Sequence, residues 1–129
     1  MDERILVDTD ILVDVARGLT EADAFLADAA RVYRLAISSV TEMELIVGCR
    51  NKAELTQLCA FLDPYERIPL TESSSATATE LLRRFRLSHG LLIPDALIAA
   101  TACAANIRFV TKNQKDYKFI PHLKLVPYP

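Results

Sequence analysis

One acidic residue lies in a segment whose composition indicates a buried helix. Asp95 is the single charged residue of the segment 94–105, which opens with a proline that suits the first turn of a helix. At helical spacing Asp95 shares a face with the apolar residues Ile98, Ala99 and Ala102. A carboxylate buried there costs several kcal/mol unless the helix N-terminus, a basic side chain or a bound cation compensates its charge. Asp95 is therefore a candidate metal ligand, and a structural role in the first helical turn is the alternative.

Two further acids follow the first predicted strand. Asp8 comes directly after the short apolar run Arg4–Val7, which is typical of a strand buried on both faces, and Asp10 lies two residues later. Either aspartate could cap the helix predicted next, on which Asp14 lies one turn beyond Asp10. Ligands of parallel sheets bind beyond the carboxyl ends of the strands, so Asp8 and Asp10 are also candidates for a site.

A pair of glutamates occupies the start of a third predicted helix. Overlapping capping-box patterns place Glu42 three residues after Ser39 and Glu44 three residues after Thr41. Both glutamates flank the apolar stripe of this helix, so helical periodicity does not choose between them. Either one is a candidate acid, and either one is a candidate capping residue.

The loop after the fourth predicted strand adds more oxygen donors. Asn113 and Asp116 lie in the polar segment Thr111–Tyr117. Oxygen donors from four separate segments, without a cluster of histidines or cysteines, suit a hard cation such as Mg²⁺ or Mn²⁺. The two histidines, His89 and His122, are isolated in the sequence and are better explained by structural or surface roles.

Strands and helices alternate along the chain, and this alternation determines where the acids would meet. Apolar runs predict strands at 4–7, 32–37, 67–70, 107–110 and 123–126. Helical patterns predict helices from Asp10 to about Arg17, over 20–31, from Ser39 or Thr41 toward Gly48, and over 54–62, 74–87 and 94–105. This order predicts an α/β fold with a parallel sheet covered by helices on both faces, formed by a single domain over residues 1–129.

Composition and charge exclude several classes of protein. The 129 residues are 51% hydrophobic and 25% charged, which allows a substantial core and argues against disorder. No apolar run is long enough to span a bilayer, and the acidic start Met1–Arg4 is unlike a signal peptide. Three cysteines without a C-x-x-C spacing favour a reducing cytoplasm over a disulfide framework.

The net charge of −2 conceals a gradient along the chain. Residues 1–30 contain eight acids against two arginines, a balance of −6, whereas residues 105–129 contain five basic residues against one acid, a balance of +4. A protein that binds nucleic acid through bulk charge is usually basic overall, which this chain is not. A local basic face beside an acidic site is compatible with the gradient, and so is an ordinary solvated surface.

Taken together, four segments resemble a PIN domain, and most closely the VapC-type toxin ribonucleases of bacterial and archaeal toxin–antitoxin pairs. The segments are Ile5–Val13, Ser38–Gly48, Ile93–Ala100 and Phe109–Tyr117, and they span nearly the whole chain in the order and spacing of that family. The resemblance implies a three-layer α/β/α sandwich with a central parallel sheet. It also implies cleavage of single-stranded RNA that depends on Mg²⁺ or Mn²⁺.

The resemblance also assigns roles to individual residues. Asp8, Glu44 and Asp95 match the three catalytic, metal-binding acids of the family, so the resemblance favours Glu44 over Glu42. The chain has Asn113 where the family often has a fourth acid, while Asp116 matches a further catalytic acid that some members have nearby. Asp10, Asn113 and Asp116 are candidate further ligands. VapC-type proteins form homodimers and are inhibited by an antitoxin, so both partners are expected here.

Basic residues near the fourth strand are candidates for substrate binding. Arg108, Lys112 and Lys115 could contact the phosphates that flank the scissile bond, in agreement with the charge gradient. Two alternatives to the ribonuclease remain at this point. Asn113 is compatible with a degenerate PIN module that binds RNA or protein without cutting. Asp8-Thr-Asp10 resembles the D-x-D motif of haloacid-dehalogenase-like phosphatases, although this chain has Leu12 at the position where that motif has Thr or Val.

Overall fold

The first strand lies at the centre of the sheet and organises the fold. The computed structural model describes residues 3–129. The prediction that Met1–Arg4 is unlike a signal peptide therefore falls partly outside the described residues. Strand β1 (Arg4–Val7) pairs in parallel with β2 (Arg34–Ser38) on one side and β4 (Arg108–Val110) on the other. Strands β3 (Glu66–Ile68) and β5 (Lys124–Val126) form the edges, which gives the parallel order β3-β2-β1-β4-β5.

Residues 3–129 contain six α-helices. They are α1 (Thr9–Ala16), α2 (Thr20–Ala29), α3 (Ser39–Val47), α4 (Lys52–Leu62), α5 (Glu72–His89) and α6 (Ile93–Ala105), and a single 3-10 turn covers Gln114–Asp116. The predicted elements are all present, with ends that differ by a few residues. The largest extension is at α5, where the side chain of Thr71 accepts the N–H of Ser74 and so begins the helix earlier than predicted.

The sheet separates two apolar cores. Ile5 and Val7 of β1 pack in one core with Leu12 of α1 and Leu26 of α2, whereas Leu6 packs in the other with residues of α5 and α6. This alternation follows from the pleat of a strand, whose successive side chains point to opposite faces. The predicted three-layer α/β/α architecture with a central parallel sheet is confirmed.

Candidate active site

The predicted acids line one cavity at the carboxyl end of the central strands. The cavity has a volume of about 250 Å³. It is lined by Asp8, Thr9, Asp10, Glu44, Asp95, Asn113, Asp116 and Tyr117. Neither Asp14 nor Glu42 lines it, so the fold separates the acids at this site from those that only neighbour them in sequence.

Asp8 joins β1 to α1 and serves as the N-cap of that helix. Its Oδ1 accepts the backbone N–H of Thr9 at 2.8 Å, and its Oδ2 accepts the hydroxyl of Thr111 at 2.8 Å. Only 6% of the residue is exposed. Burial, and next the nearby charge of Asp10, raises the pKa of Asp8 to about 7. The capping role and the site role inferred from the sequence are therefore held by the same carboxylate.

Asp10 is fixed by the loop that follows β4. Its Oδ2 lies 3.1 Å from the hydroxyl of Thr111 and accepts the backbone N–H groups of Lys112 at 3.1 Å and Asn113 at 3.3 Å. Its Oδ1 is buried and has no hydrogen-bond partner within residues 3–129. Of the two aspartates that could cap the helix, Asp8 occupies the capping position and Asp10 lies in the first turn.

The two glutamates diverge. Glu44 of α3 accepts the hydroxyl of Thr9 at 2.7 Å beside the cavity, whereas Glu42 pairs with Nε of Arg67 at 3.1 Å. The predicted capping boxes are wrong, because the side chain of Ser38 caps α3 by accepting the N–H of Thr41 at 3.0 Å. With the N-cap at Ser38, the N3 position falls on Thr41, so neither glutamate occupies it and both are free to bind other partners.

Asp95 lies in the first turn of α6 and is half-buried. The hydroxyl of Tyr117 donates to its Oδ1 at 3.0 Å. Burial raises the pKa of Asp95, and the charges of Glu44, Asp116 and Asp10 raise it further, while the bond from Tyr117 lowers it. Its own burial, and next the charges of Asp8 and Asp95, in turn raise the pKa of Tyr117, which keeps this hydroxyl protonated as a donor.

Three hydroxyl residues of the site were given no role from the sequence: Thr9, Thr111 and Tyr117. Thr111 directly follows β4 just as Asp8 directly follows β1, and the rule that locates Asp8 also points to the residues from Thr111 onward. Thr9 is adjacent to a candidate acid, but its partner Glu44 comes from another helix. Tyr117 has no local signal, because its hydroxyl meets Asp95 only when the loop packs against α6.

The basic residues predicted to contact phosphates are in three different situations. Lys112 pairs with Asp14 at 2.8 Å, and this hydrogen bond raises the pKa of the lysine. Arg108 lies over the ring of Tyr33, which precedes β2, so its guanidinium is directed toward the amino end of the sheet and not toward the cavity. Lys115 is exposed on the loop that carries Asp116.

The donors around the cavity fit a hard divalent cation by type. They are carboxylate, amide and hydroxyl oxygens, the ligands that Mg²⁺ and Mn²⁺ prefer. The unpartnered Oδ1 of Asp10 and the raised pKa of Asp8 both indicate negative charge that lacks compensation. No three acidic, histidine or cysteine side chains of residues 3–129 form a preassembled metal-binding group, so binding would require these side chains to draw together.

Comparisons with known proteins identify the family to which the chain is similar. The family model of the PIN domain matches residues 5–120. Ribonuclease VapC10 of Mycobacterium tuberculosis is 36% identical over 121 residues, which cover 93% of this chain and 90% of that protein.

Two solved structures are similar over nearly their whole length. VapBC2 from Rickettsia felis, bound to a DNA fragment from its promoter, has a TM-score of 0.81 and 30% identity, covering 98% of this chain and 99% of that one. A toxin–antitoxin complex from Klebsiella pneumoniae has a TM-score of 0.78 and 31% identity, covering 95% and 96% of the two chains.

Proposed function

This chain belongs to the PIN domain family, and we propose that it is a metal-dependent endoribonuclease that cleaves single-stranded RNA as the toxin of a toxin–antitoxin pair. The observation that carries the proposal is the cavity in which Asp8, Glu44, Asp95 and Asp116 meet from four separate segments. The similarity to a VapC ribonuclease supports the same activity. Membership of this family removes the phosphatase alternative raised by Asp8-Thr-Asp10.

The acids would hold Mg²⁺ or Mn²⁺ between them. Asp8, Glu44 and Asp95 are the proposed principal ligands, and Asp10, Asn113 and Asp116 are the proposed further ones. When bound, the cation lowers the pKa of a water molecule and stabilises the charge that develops on the scissile phosphate. Clustered carboxylates repel one another, which gives the site its own driving force to take up a positive charge.

The hydroxyl residues orient these acids. Thr9 donates to Glu44, Thr111 donates to Asp8 and Tyr117 donates to Asp95, so each principal acid has one oxygen tied to a neighbouring element. A carboxylate restrained in this way presents its remaining lone pairs in one direction, as the outer partners of metal ligands commonly ensure.

Lys115 is exposed next to Asp116, which lines the cavity, and we assign this lysine to a phosphate that flanks the scissile bond.

An antitoxin partner is supported by a second, larger cavity beside the acids. Its volume is about 880 Å³, and it extends from Thr9 and Glu44 between α1, α3 and α4. Apolar side chains such as Val13, Leu58 and Phe61 line this cavity. A peptide segment with an apolar face would fill it, and a basic residue of that peptide could reach the carboxylates.

A homodimer is supported by apolar side chains that remain exposed. Val47 is 84% exposed on α3 and lines a shallow cavity with Met43, Glu44 and Pro94, and Ile93, which precedes Pro94, is 65% exposed at the start of α6. Exposed apolar groups that cluster in this way are typical of interfaces.

Among residues 3–129 no helix is both long and apolar enough to cross a membrane. We propose the cytoplasm, which contains the RNA substrate, as the place of action.

Purified protein and a labelled single-stranded RNA test the activity. We expect cleavage with Mg²⁺ or Mn²⁺, none with EDTA, and none by Asp8→Asn or Asp95→Asn at unchanged circular dichroism. Asp28→Asn is a matched control, since it removes an exposed acid of α2 outside the cavity. Undiminished cleavage by either site variant would contradict the assignment. Tight RNA binding without cleavage by the wild type would instead favour the degenerate module that Asn113 suggests.

A further inference from the structure

An ion pair between a buried carboxylate and a half-exposed lysine, outside the acidic cavity, joins α1 to the loop after β4. Asp14 is only 7% exposed, and its Oδ2 lies 2.8 Å from Nζ of Lys112. A carboxylate buried to this degree needs a partner, because removal of one member of a buried pair leaves an uncompensated charge. The buried carboxylate of Asp14 therefore needs the ammonium group of Lys112, although the sequence suggested that this lysine contacts an RNA phosphate.

Lys112 holds the same helix at a second point. Its backbone N–H donates to Oδ2 of Asp10, one helical turn before Asp14. Residues four apart lie on one face of a helix, so the side chain and the main chain of Lys112 grip two successive turns of α1. The loop cannot shift along or away from the helix without breaking both contacts.

Asp10 receives its orientation from this loop. The backbone N–H groups of Lys112 and Asn113 both donate to its Oδ2, while its buried Oδ1 has no partner in the described part of the chain. With one oxygen held by two donors, the rotation of the carboxylate is fixed and Oδ1 is the atom left to receive a cation. Displacement of the loop would release that rotation and would also move Asn113 and Asp116.

We propose that Asp14 and Lys112 form a latch that positions Asp10 and the loop 111–116 for cation binding. The inference rests on the proposed function in naming the cation. It assigns Asp14 and Lys112 as positioning residues, since neither lines the cavity. It also removes Lys112 from the candidate phosphate contacts, because an RNA phosphate would have to take the ammonium away from a buried carboxylate.

The test measures cation binding and catalysis separately in Asp14→Asn and Lys112→Met. Calorimetric titration of Mn²⁺ into each purified protein without RNA should show a dissociation constant about tenfold above that of the wild type, the lower end of the effect of losing an outer partner of a metal ligand. Cleavage assays should show a matching rise in the Mn²⁺ midpoint and little change in KM for RNA. Lys112→Arg keeps the charge and should restore most of the binding.

The two variants distinguish a latch from a phosphate contact. A latch predicts the same defect from either residue and no further loss in the double variant, because both mutations break one interaction. A phosphate contact predicts that Lys112→Met raises KM and lowers the salt dependence of RNA binding, whereas Asp14→Asn frees the lysine and does neither. Lys115→Met removes another lysine from the same loop and controls for the loss of a positive charge there. We expect this variant to bind Mn²⁺ as the wild type does.

Each remaining result decides the proposal. Wild-type affinity for Mn²⁺ in Asp14→Asn or Lys112→Met overturns the latch even if RNA cleavage by the wild type is confirmed. Weakened Mn²⁺ binding in both variants supports the latch even if the wild type cuts no RNA, in which case the proposed function fails alone. Absence of Mn²⁺ binding by the wild type overturns both. If Asp14→Asn does not fold, Lys112→Met decides, since that side chain is 48% exposed.

Discussion

Replacement of Asp8 by asparagine should make the metal-free protein more stable above neutral pH. Asp8 is buried next to Asp10, and its pKa rises from 3.8 to about 7 on folding. Thr111 has a single hydroxyl hydrogen for two carboxylate oxygens, at 2.8 Å on Asp8 and 3.1 Å on Asp10. A proton on Asp8 resolves this conflict, because Asp8 can then donate to Thr111 while Thr111 donates to Asp10.

The sign and size of the effect follow from proton linkage. Because the folded-state pKa is raised, the folded protein binds more protons than the unfolded chain between pH 3.8 and about 7, and stability falls as pH rises through that interval. One pKa unit corresponds to about 1.4 kcal/mol. From pH 5 upward the wild type should therefore lose about 2–3 kcal/mol through Asp8 before the loss levels off near pH 8.

Asparagine removes this titration while it keeps the shape of the protonated acid. Its carbonyl can still accept the N–H of Thr9, and its amide can donate to the hydroxyl of Thr111. The stability of Asp8→Asn relative to wild type should thus increase by about 2–3 kcal/mol between pH 5 and pH 8. This direction is opposite to that of most substitutions at buried sites.

Urea denaturation in EDTA, followed by circular dichroism at several pH values, measures the difference. Comparison of the two proteins at each pH cancels the contribution of groups that titrate alike in both. An unchanged slope of the free energy of unfolding against urea concentration confirms that the unfolded states are comparable. A difference that is constant or shrinks with pH would refute the reasoning. It would mean that the bonds from Thr9 and Thr111 outweigh burial and keep Asp8 ionised in the folded protein.

Three further predictions test the acids, the cation and the partner. Glu44→Gln should abolish RNA cleavage, whereas Glu42→Gln should still cleave RNA. Glu42→Gln should lower the free energy of unfolding by less than about 1 kcal/mol, since it loses only a partly exposed ion pair with Arg67. The reverse pattern in parallel cleavage assays would mean that the wrong glutamate is assigned. Mn²⁺ at a hundredfold excess over its dissociation constant should stabilise the wild type by about 2.7 kcal/mol and Asp8→Asn much less. Thermal melts with Mn²⁺ or EDTA measure this difference, and equal shifts of the melting temperature in the two proteins would exclude Asp8 as a ligand. Expression of the chain alone should arrest growth of its host, and the neighbouring antitoxin gene should relieve it; normal growth despite confirmed accumulation of the protein would count against a toxin.

The fold was predictable because its signals are local. The apolar run Arg4–Val7 and the alternation of strands with helices identify the parallel sheet. The rule that sites lie beyond the carboxyl ends of strands then brings Asp8 and Asp10 to the cavity. Asp95 was identified as an isolated charge in an apolar helix, and the structure places it beside the same acids.

The errors arise where a local pattern has several equivalent solutions. Ser38, Ser39 and Thr41 can each cap a helix, and in the structure β2 ends at Ser38, which caps α3. A lysine after a strand near a phosphate site looks the same whether it contacts RNA or a buried acid. The partner of Lys112 is Asp14, which is distant in sequence, so packing alone reveals the pair.

The pairing of β1 with β4 also has a consequence for the newly synthesised protein. Asp8 and Asp10 are made early, but the hydroxyl and N–H groups that hold them belong to Thr111–Asn113, and Asp8 and Thr111 are 103 residues apart. A nascent chain that ends before β4 has Asp8, Glu44 and Asp95 without the loop that orders the site. We therefore expect a ribosome-bound fragment of this length to be inert toward the messenger from which it is translated.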